Sequence, residues 1–299
     1  MAGTCLCIDV GGTFIKYAKV DSERNLSGYG KVETPYKGIE VYVETLADIY
    51  RKFEGEVEGI SLSVPGMIDS KNGVCVTAGA LEYAQGLALV EELGKKCPVP
   101  IAVMNDAKSA ALAEATWGAL ADCEDSIVIT LGTGVGGALI KGGEVHMGKH
   151  FAAGEFSTVA LTDAVDSKDA LWCGQNGVGR LLTLAARIKG KDVSEVSGED
   201  VFRWVNEGDE MVTMALDQYT KTIARMLINL QCIFDPDRFA FGGGISRQPK
   251  LMEFIQKNLD YYYAVFPSPI PKPEITTCKY FNEANLLGAY GNFLKTFQK

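Results

Sequence analysis

The sequence predicts an α/β protein built from two similar halves. Three observations carry that expectation. The chain has 299 residues, enough for about two domains at roughly 150 residues each. Short apolar runs of strand length alternate with stretches of helical periodicity. A pattern of strand, glycine turn and returning strand occurs near residue 10 and restarts near residue 130, as expected of a duplicated unit.

The elements read in order as follows. Residues 4–10 form a strand that ends in Asp9 and runs into Gly11-Gly12-Thr13, and residues 14–20 form the returning strand. Polar residues 21–25 make a turn, and 31–34 a third strand, so the first part is a β-meander. In residues 39–53, Val43, Leu46, Ala47 and Tyr50 recur at helical spacing. A strand at 57–64 leads into Pro65-Gly66, and a helix spans 87–96. The strand 101–104 delivers Asn105-Asp106 to the start of an Ala-rich helix at 107–117. The second half repeats this grammar, with strands at 126–131, 136–140 and 144–147 and Gly142-Gly143 as a hairpin turn. Helices are expected at 169–189, 201–206 and 210–234, the last ended by Asp235-Pro236. A strand at 238–241 runs into Gly242-Gly243-Gly244, and helices at 250–259 and 283–297 follow. The expected domains are a smaller one at 1–118, to which the last helix at about 284–299 returns, and a larger one at 119–283.

Composition narrows the function. Apolar residues make up 47% of the chain, enough for a sizeable core. The net charge is −9 with no basic block, a poor match to non-specific nucleic-acid binding. No apolar run reaches the ~18 residues of a membrane span, and the N-terminus lacks the pattern of a secretory signal. The eight cysteines form no pair of CxxC motifs. Reduced thiols in a cytoplasmic protein are expected.

Five segments carry chemistry. In Asp9-Val-Gly-Gly-Thr-Phe-Ile-Lys16 the adjacent glycines Gly11 and Gly12 let backbone approach a phosphate, to which the Thr13 hydroxyl can donate. Asp9 is a candidate for holding Mg²⁺ through water. In Leu131-Gly-Thr-Gly-Val-Gly-Gly137, four glycines within six positions cost roughly 0.5–1 kcal/mol each relative to alanine. A second phosphate cradle at Gly132, Thr133 and Gly134 would offset that cost. Phe241-Gly-Gly-Gly-Ile245 offers backbone against which a flat adenosine can lie, at Gly243 and Gly244. In Met104-Asn-Asp-Ala-Lys108, Asp106 suits the base for a hydroxyl nucleophile, and helix capping is its competing role. In Gly148-Lys-His-Phe-Ala-Ala-Gly-Glu155, Glu155 can accept hydrogen bonds from sugar hydroxyls. His146 and His150 lack a metal-ligand partner at useful spacing.

These five segments and Ser63-Val-Pro-Gly66, in the order DxGGT, SVPG, ND, LGTGxGG, AGE, GGG, resemble the ROK family of sugar kinases over nearly the whole chain, Asp9 to Gly288. The resemblance implies the actin-like ATPase fold, two ribonuclease H-like domains around a cleft. It implies transfer of the γ-phosphate of ATP to a sugar hydroxyl, O6 of a hexose, amino-hexose or β-glucoside, with Mg²⁺ as cofactor and a homodimer as the assembly. On that pattern Asp106 falls on the catalytic aspartate. Asp9, Gly11, Gly12, Thr13, Lys16, Gly132, Thr133, Gly134, Gly243 and Gly244 fall on the ATP side. Pro65, Gly66, Asn105, Asp106 and Glu155 fall on the sugar side.

The chain departs from the family pattern after Glu155. The usual ExGH is Glu155-Phe-Ser-Thr158, and the CxCGxxGCxE motif is Leu171-Trp-Cys-Gly-Gln-Asn-Gly-Val-Gly-Arg180. Thr158, Leu171 and Val178 replace metal ligands and leave Cys173 alone, so no zinc site is expected. Thr158 and Arg180 stand at sugar-binding positions, and Ala80 where an asparagine is usual. The pattern resembles the branches of β-glucoside kinases and N-acetylmannosamine kinases. The family's transcriptional repressors carry a DNA-binding domain before DxGGT, and only eight residues precede Asp9 here. A sugar sensor without kinase activity would have lost the base or a phosphate loop, and both are present.

Overall fold

The computed structural model describes residues 3–164, 167–266 and 269–298. They pack as two compact units, the first from residues 3–118, 147–153 and 282–298, the second from 119–146 and 154–281. Residues 147–153, placed in the second domain by the sequence, pack with the first unit.

The first unit opens with the meander β1 (Cys5–Val10), β2 (Phe14–Val20) and β3 (Leu26–Glu33). Helix α1 (Ile39–Arg51) follows, then β4 (Gly59–Val64) and a two-stranded hairpin of β5 (Ile68–Asp69) and β6 (Val74–Cys75). Helix α2 (Leu89–Gly94), strand β7 (Ile101–Asn105) and helix α3 (Asp106–Trp117) complete this stretch. The main sheet runs in the order β3-β2-β1-β4-β7. The parallel strands β4 and β7 are buried along their whole length and mostly apolar, with Ser61, Ser63 and Asn105 the polar exceptions, as befits strands covered on both faces. In β2, residues such as Phe14 and Lys16 alternate with buried Ile15 and Tyr17, the period of two of a half-covered strand.

The second unit repeats the arrangement. Its meander is β8 (Ser126–Leu131), β9 (Val135–Lys141) and β10 (Glu144–His146). Helices α4 (Trp172–Asn176), α5 (Val178–Lys189), α6 (Gly198–Asn206) and α7 (Glu210–Phe234) follow. Strand β11 (Arg238–Gly242), helix α8 (Pro249–Val265) and strand β12 (Ile275–Thr277) complete it. The sheet order is β10-β9-β8-β11-β12, with β8–β11 and β11–β12 parallel. Position for position, this is the order and sense of the first sheet, and the mixed α/β class with two similar halves is that expected. The long α7 starts at Asp209, whose carboxylate accepts from the Val212 N–H, and stops at Asp235 in the left-handed region before Pro236.

The last helix, α9 (Ala284–Phe297), belongs to the first unit. It buries Leu286, Leu287, Ala289, Tyr290 and Phe293 against α3 and the strands β1, β4 and β7. At Gly288 the approach to α3 is so close that a Cβ would stand 1.7 Å from the Ser109 carbonyl oxygen.

Three expectations are corrected. The helix expected at 169–189 is broken, because Gly177 is extended and the Val178 N–H donates to the Gly132 carbonyl at 2.8 Å. The third strand is longer than 31–34 and begins at Leu26. The helix expected at 201–206 begins at Gly198, because Ser197 and Asp200 form a capping box. The eight cysteines are free thiols, and Cys232 is exposed. Among the described residues no helix is long and apolar enough to cross a membrane.

Candidate active site

In both units the glycine and carboxylate motifs leave the C-terminal ends of parallel strands. Strands β1, β4 and β7 run parallel and end in Gly11-Gly12-Thr13, Pro65-Gly66 and Asn105-Asp106. Strands β8 and β11 run parallel and end in Gly132-Thr133-Gly134 and Gly243-Gly244. Ligands of open α/β sheets bind at this end, where strand carbonyls stop pairing and loops take over.

In the first unit, register brings three remote residues together. Asp9 lies opposite Lys16 on β2 and opposite Ser63 on β4. Its Oδ1 accepts from Ser63 Oγ at 3.2 Å and from Asn285 Nδ2, on α9, at 2.8 Å. Burial pushes the Asp9 carboxyl above the ordinary carboxylate range, and the Asn285 amide, the Lys16 charge and the Ser63 hydroxyl act in the opposite direction. The glycine turn beside it is pinned from outside. Thr34 Oγ1 donates to the Gly11 carbonyl at 2.7 Å, the Thr34 N–H to the Thr13 carbonyl at 3.0 Å, and the Tyr36 hydroxyl to the Gly12 carbonyl. Thr13 and Lys16 are exposed.

Two strands away, Asn105 is buried and links two sequence-expected residues. Its Nδ2 donates to the Gly66 carbonyl at 2.9 Å and to Asp106 Oδ1 at 3.0 Å. Its Oδ1 accepts from the Lys108 N–H at 3.0 Å, which makes Asn105 the N-cap of α3. The capping role weighed for Asp106 therefore belongs to Asn105. Asp106 sits in the first turn of α3, and its Oδ1 accepts from the Ala107 N–H at 2.7 Å, where the positive end of the helix favours a negative charge. Lys108 is wholly buried, and its Nζ donates to the Phe151 carbonyl at 2.7 Å.

In the second unit the two glycine segments touch. Gly243 holds φ 92° and ψ 164°, and a Cβ there would stand 2.2 Å from the Leu131 carbonyl oxygen. The turn at Gly132 is closed by its own N–H on the Gly134 carbonyl at 3.0 Å and packs on the α4–α5 break. Ser246 Oγ donates to the Gly243 carbonyl at 2.7 Å. Beyond it, Ser246, Arg247, Pro249, Met252, Thr277 and Phe281 line a cavity of about 670 Å³. The Arg247 guanidinium lies 4.3 Å from the centre of the Phe281 ring. Glu155 and Thr158 share a tight turn, in which Thr158 Oγ1 donates to the Glu155 carbonyl at 3.0 Å. Arg180, in the first turn of α5, pairs with Asp169 at 3.9 Å.

Some residues at these sites escaped the sequence. Ser63 lies within the SVPG segment and was within reach of a closer reading of it. Asn285, Thr34, Tyr36, Arg247 and Phe281 lie outside the motifs and carry no local signal.

A Listeria innocua protein named beta-glucoside kinase is 30% identical over 246 residues, covering 80% of each sequence. A ROK family protein from Streptococcus pneumoniae TIGR4, solved in complex with sucrose, superposes with TM-score 0.87 at 27% identity over 98% of both chains. A ROK family glucokinase from Streptomyces griseus, solved with glucose and AMPPNP, superposes with TM-score 0.81 at 25% identity over 96% of this chain and 98% of that one. These likenesses give the protein the actin-like ATPase fold of ROK sugar kinases. The ROK family model matches residues 5–295, and the chain belongs to the ROK family.

Proposed function

We propose that the protein is a sugar kinase in which Asp106 takes the proton of a sugar hydroxyl as that oxygen attacks the γ-phosphorus of ATP and ADP leaves. The observation that carries the assignment is the capping of α3 by Asn105. With the cap supplied by Asn105, the Asp106 carboxylate is held on Oδ1 by the Asn105 amide and the Ala107 N–H, oriented as a base must be. In phosphoryl transfer such a base acts largely by aiming the nucleophile.

Gly11, Gly12, Thr13 and Lys16 in the first unit, and Gly132, Thr133 and Gly134 in the second, would serve the phosphates through hydroxyls, one ammonium and backbone N–H groups other than those of Gly11 and Gly132, which close the turns on Phe14 and Gly134. The N-terminus of the twelve-residue α5 beside Gly132 adds a favourable dipole. Mg²⁺ bound to ATP would neutralise charge developing on the phosphates. A single half-buried carboxylate fits that ion, which keeps most of its waters. Asp9 Oδ2 has no partner among the described residues and would hold one of those waters. Pro65, Gly66, Asn105, Glu155, Thr158 and Arg180 are assigned to the sugar, with O6 of a hexose, amino-hexose or β-glucoside as acceptor.

The direct test is ATP consumption by the purified protein with Mg²⁺ and glucose, N-acetylmannosamine, fructose or cellobiose. Sugar-dependent ADP release with at least one is expected, and none with any overturns the reading. Gly243, Gly244 and the adjoining cavity are assigned to adenosine, whose base would lie against Phe281. Phe281→Ala is expected to raise KM for ATP about tenfold with kcat unchanged, the loss of one stacking contact worth ~1–2 kcal/mol. Steady-state kinetics at saturating sugar check this. A homodimer is part of the same reading, supported by the exposed apolar Met211, Met214 and Ile233 on α7, and light scattering tests it.

A further inference from the structure

Both side-chain hydrogen bonds to Asp9 fall on one oxygen, Oδ1, from Ser63 at 3.2 Å and Asn285 at 2.8 Å. Ser63 is a near neighbour by strand register. Asn285 is 276 positions away in sequence. It stands in the first turn of α9, a helix buried on most of its length and fixed against α3 at Gly288. The amide is thus held by a rigid element, and side chains so held are the ones that set the geometry of a neighbouring group. Two neutral donors on one oxygen fix the plane of the carboxylate and turn the second oxygen away from them.

We infer that Asn285 is a positioning residue for the nucleotide step, holding Asp9 in the rotamer that offers Oδ2 to a water of magnesium-bound ATP. This rests on the assignment of Asp9 made above. A purely structural role for Asn285 is a weaker account. The residue is half-exposed, and among the described residues its amide bonds Asp9 rather than the α9 backbone, so the first turn of the helix does not draw on it.

The experiment is calorimetric titration of ATP, with and without Mg²⁺, into the wild-type protein, Asn285→Ala, Asp9→Asn and the double variant, with Tm recorded for each. Asn285→Ala is expected to weaken Mg·ATP binding about tenfold, the scale of one hydrogen bond to a charged group. It should leave metal-free ATP binding and Tm unchanged. Asp9→Asn is expected to weaken Mg·ATP at least as much, and adding Asn285→Ala to it should weaken binding no further, because the two act through one carboxylate. If Asp9→Asn weakens Mg·ATP and Asn285→Ala does not, the inference fails while the role of Asp9 stands. Additive losses in the double variant, or an equal loss of metal-free ATP together with a lower Tm, also overturn it. Wild-type Mg·ATP binding by Asp9→Asn removes the assignment of Asp9 itself.

Discussion

Asp106→Asn is expected to lower kcat by about 10²–10⁴-fold, the usual contribution of a positioned base, while ATP affinity stays near that of the unaltered protein. The local structure makes this a clean substitution. Asparagine keeps an oxygen that can accept from the Ala107 N–H, now bonded at 2.7 Å. The α3 cap lies one residue earlier, on Asn105, and is not touched. The substitution removes one charge at a helix N-terminus, worth ~0.3–1 kcal/mol, and spares the cap. Kinetics, ATP titration and thermal melting on the same preparation separate the two roles. Full activity in Asp106→Asn removes it as the base, and a large fall in Tm would show that it is chiefly structural.

The second large effect is expected at Gly243. Its φ of 92° with ψ of 164° lies in a region that is essentially glycine-only and costs other residues ~1–3 kcal/mol. Gly243→Ala also drives a methyl group to 2.2 Å from the Leu131 carbonyl oxygen and 2.8 Å from its carbon. The obstacle is backbone of β8, one residue before Gly132, so relief requires the two glycine segments to part. Overpacking of this kind costs about 1–3 kcal/mol more. The variant is expected to lose about 2–6 kcal/mol of stability and to bind ATP more weakly. Gly244→Ala is the control, since a Cβ there meets nothing within 4 Å. Denaturant unfolding and ATP titration of the pair check this. Equal stability of the two variants would show that β8 and β11 tolerate separation at this point.

The features legible in the sequence are those encoded locally. Glycines at 11–12, 132, 134 and 242–244 mark strand ends, because a glycine cluster after an apolar run is recognisable without its neighbours. The repeat of the meander was legible for the same reason. What escaped was set by contacts remote in sequence. The periodicity through Trp172, Leu181 and Ala185 is continuous, and the break at Gly177 comes from the Gly132 carbonyl, about 45 positions earlier. Strand β12 is three residues long after a proline-rich stretch, too short and too poorly flanked to show an alternating pattern. Strand β3 carries Gly28 and Gly30 in its first half, and glycines weaken the alternating pattern that marks a strand. Asn105 and Asp106 are both good capping types side by side, and only the bond to the Lys108 N–H tells which of them caps. Asn285 is one polar residue in an apolar helix, and nothing near it in sequence names Asp9 as its partner.

The threading of the chain also bears on how the protein is made. Strand β1 leaves the ribosome 276 positions before the residue that holds Asp9, roughly 14–55 s earlier at ~5–20 residues per second. The second unit is almost continuous in sequence and can close in that interval, while the first still waits for α9. During the wait, the nascent chain presents the bare face of β1, β4 and β7 that α9 later covers, a surface suited to chaperones. A frameshift or stop codon just ahead of residue 284 would therefore remove the closing piece of the first sheet and the amide on Asp9 in one event. Competence for phosphoryl transfer is among the last properties the growing polypeptide gains.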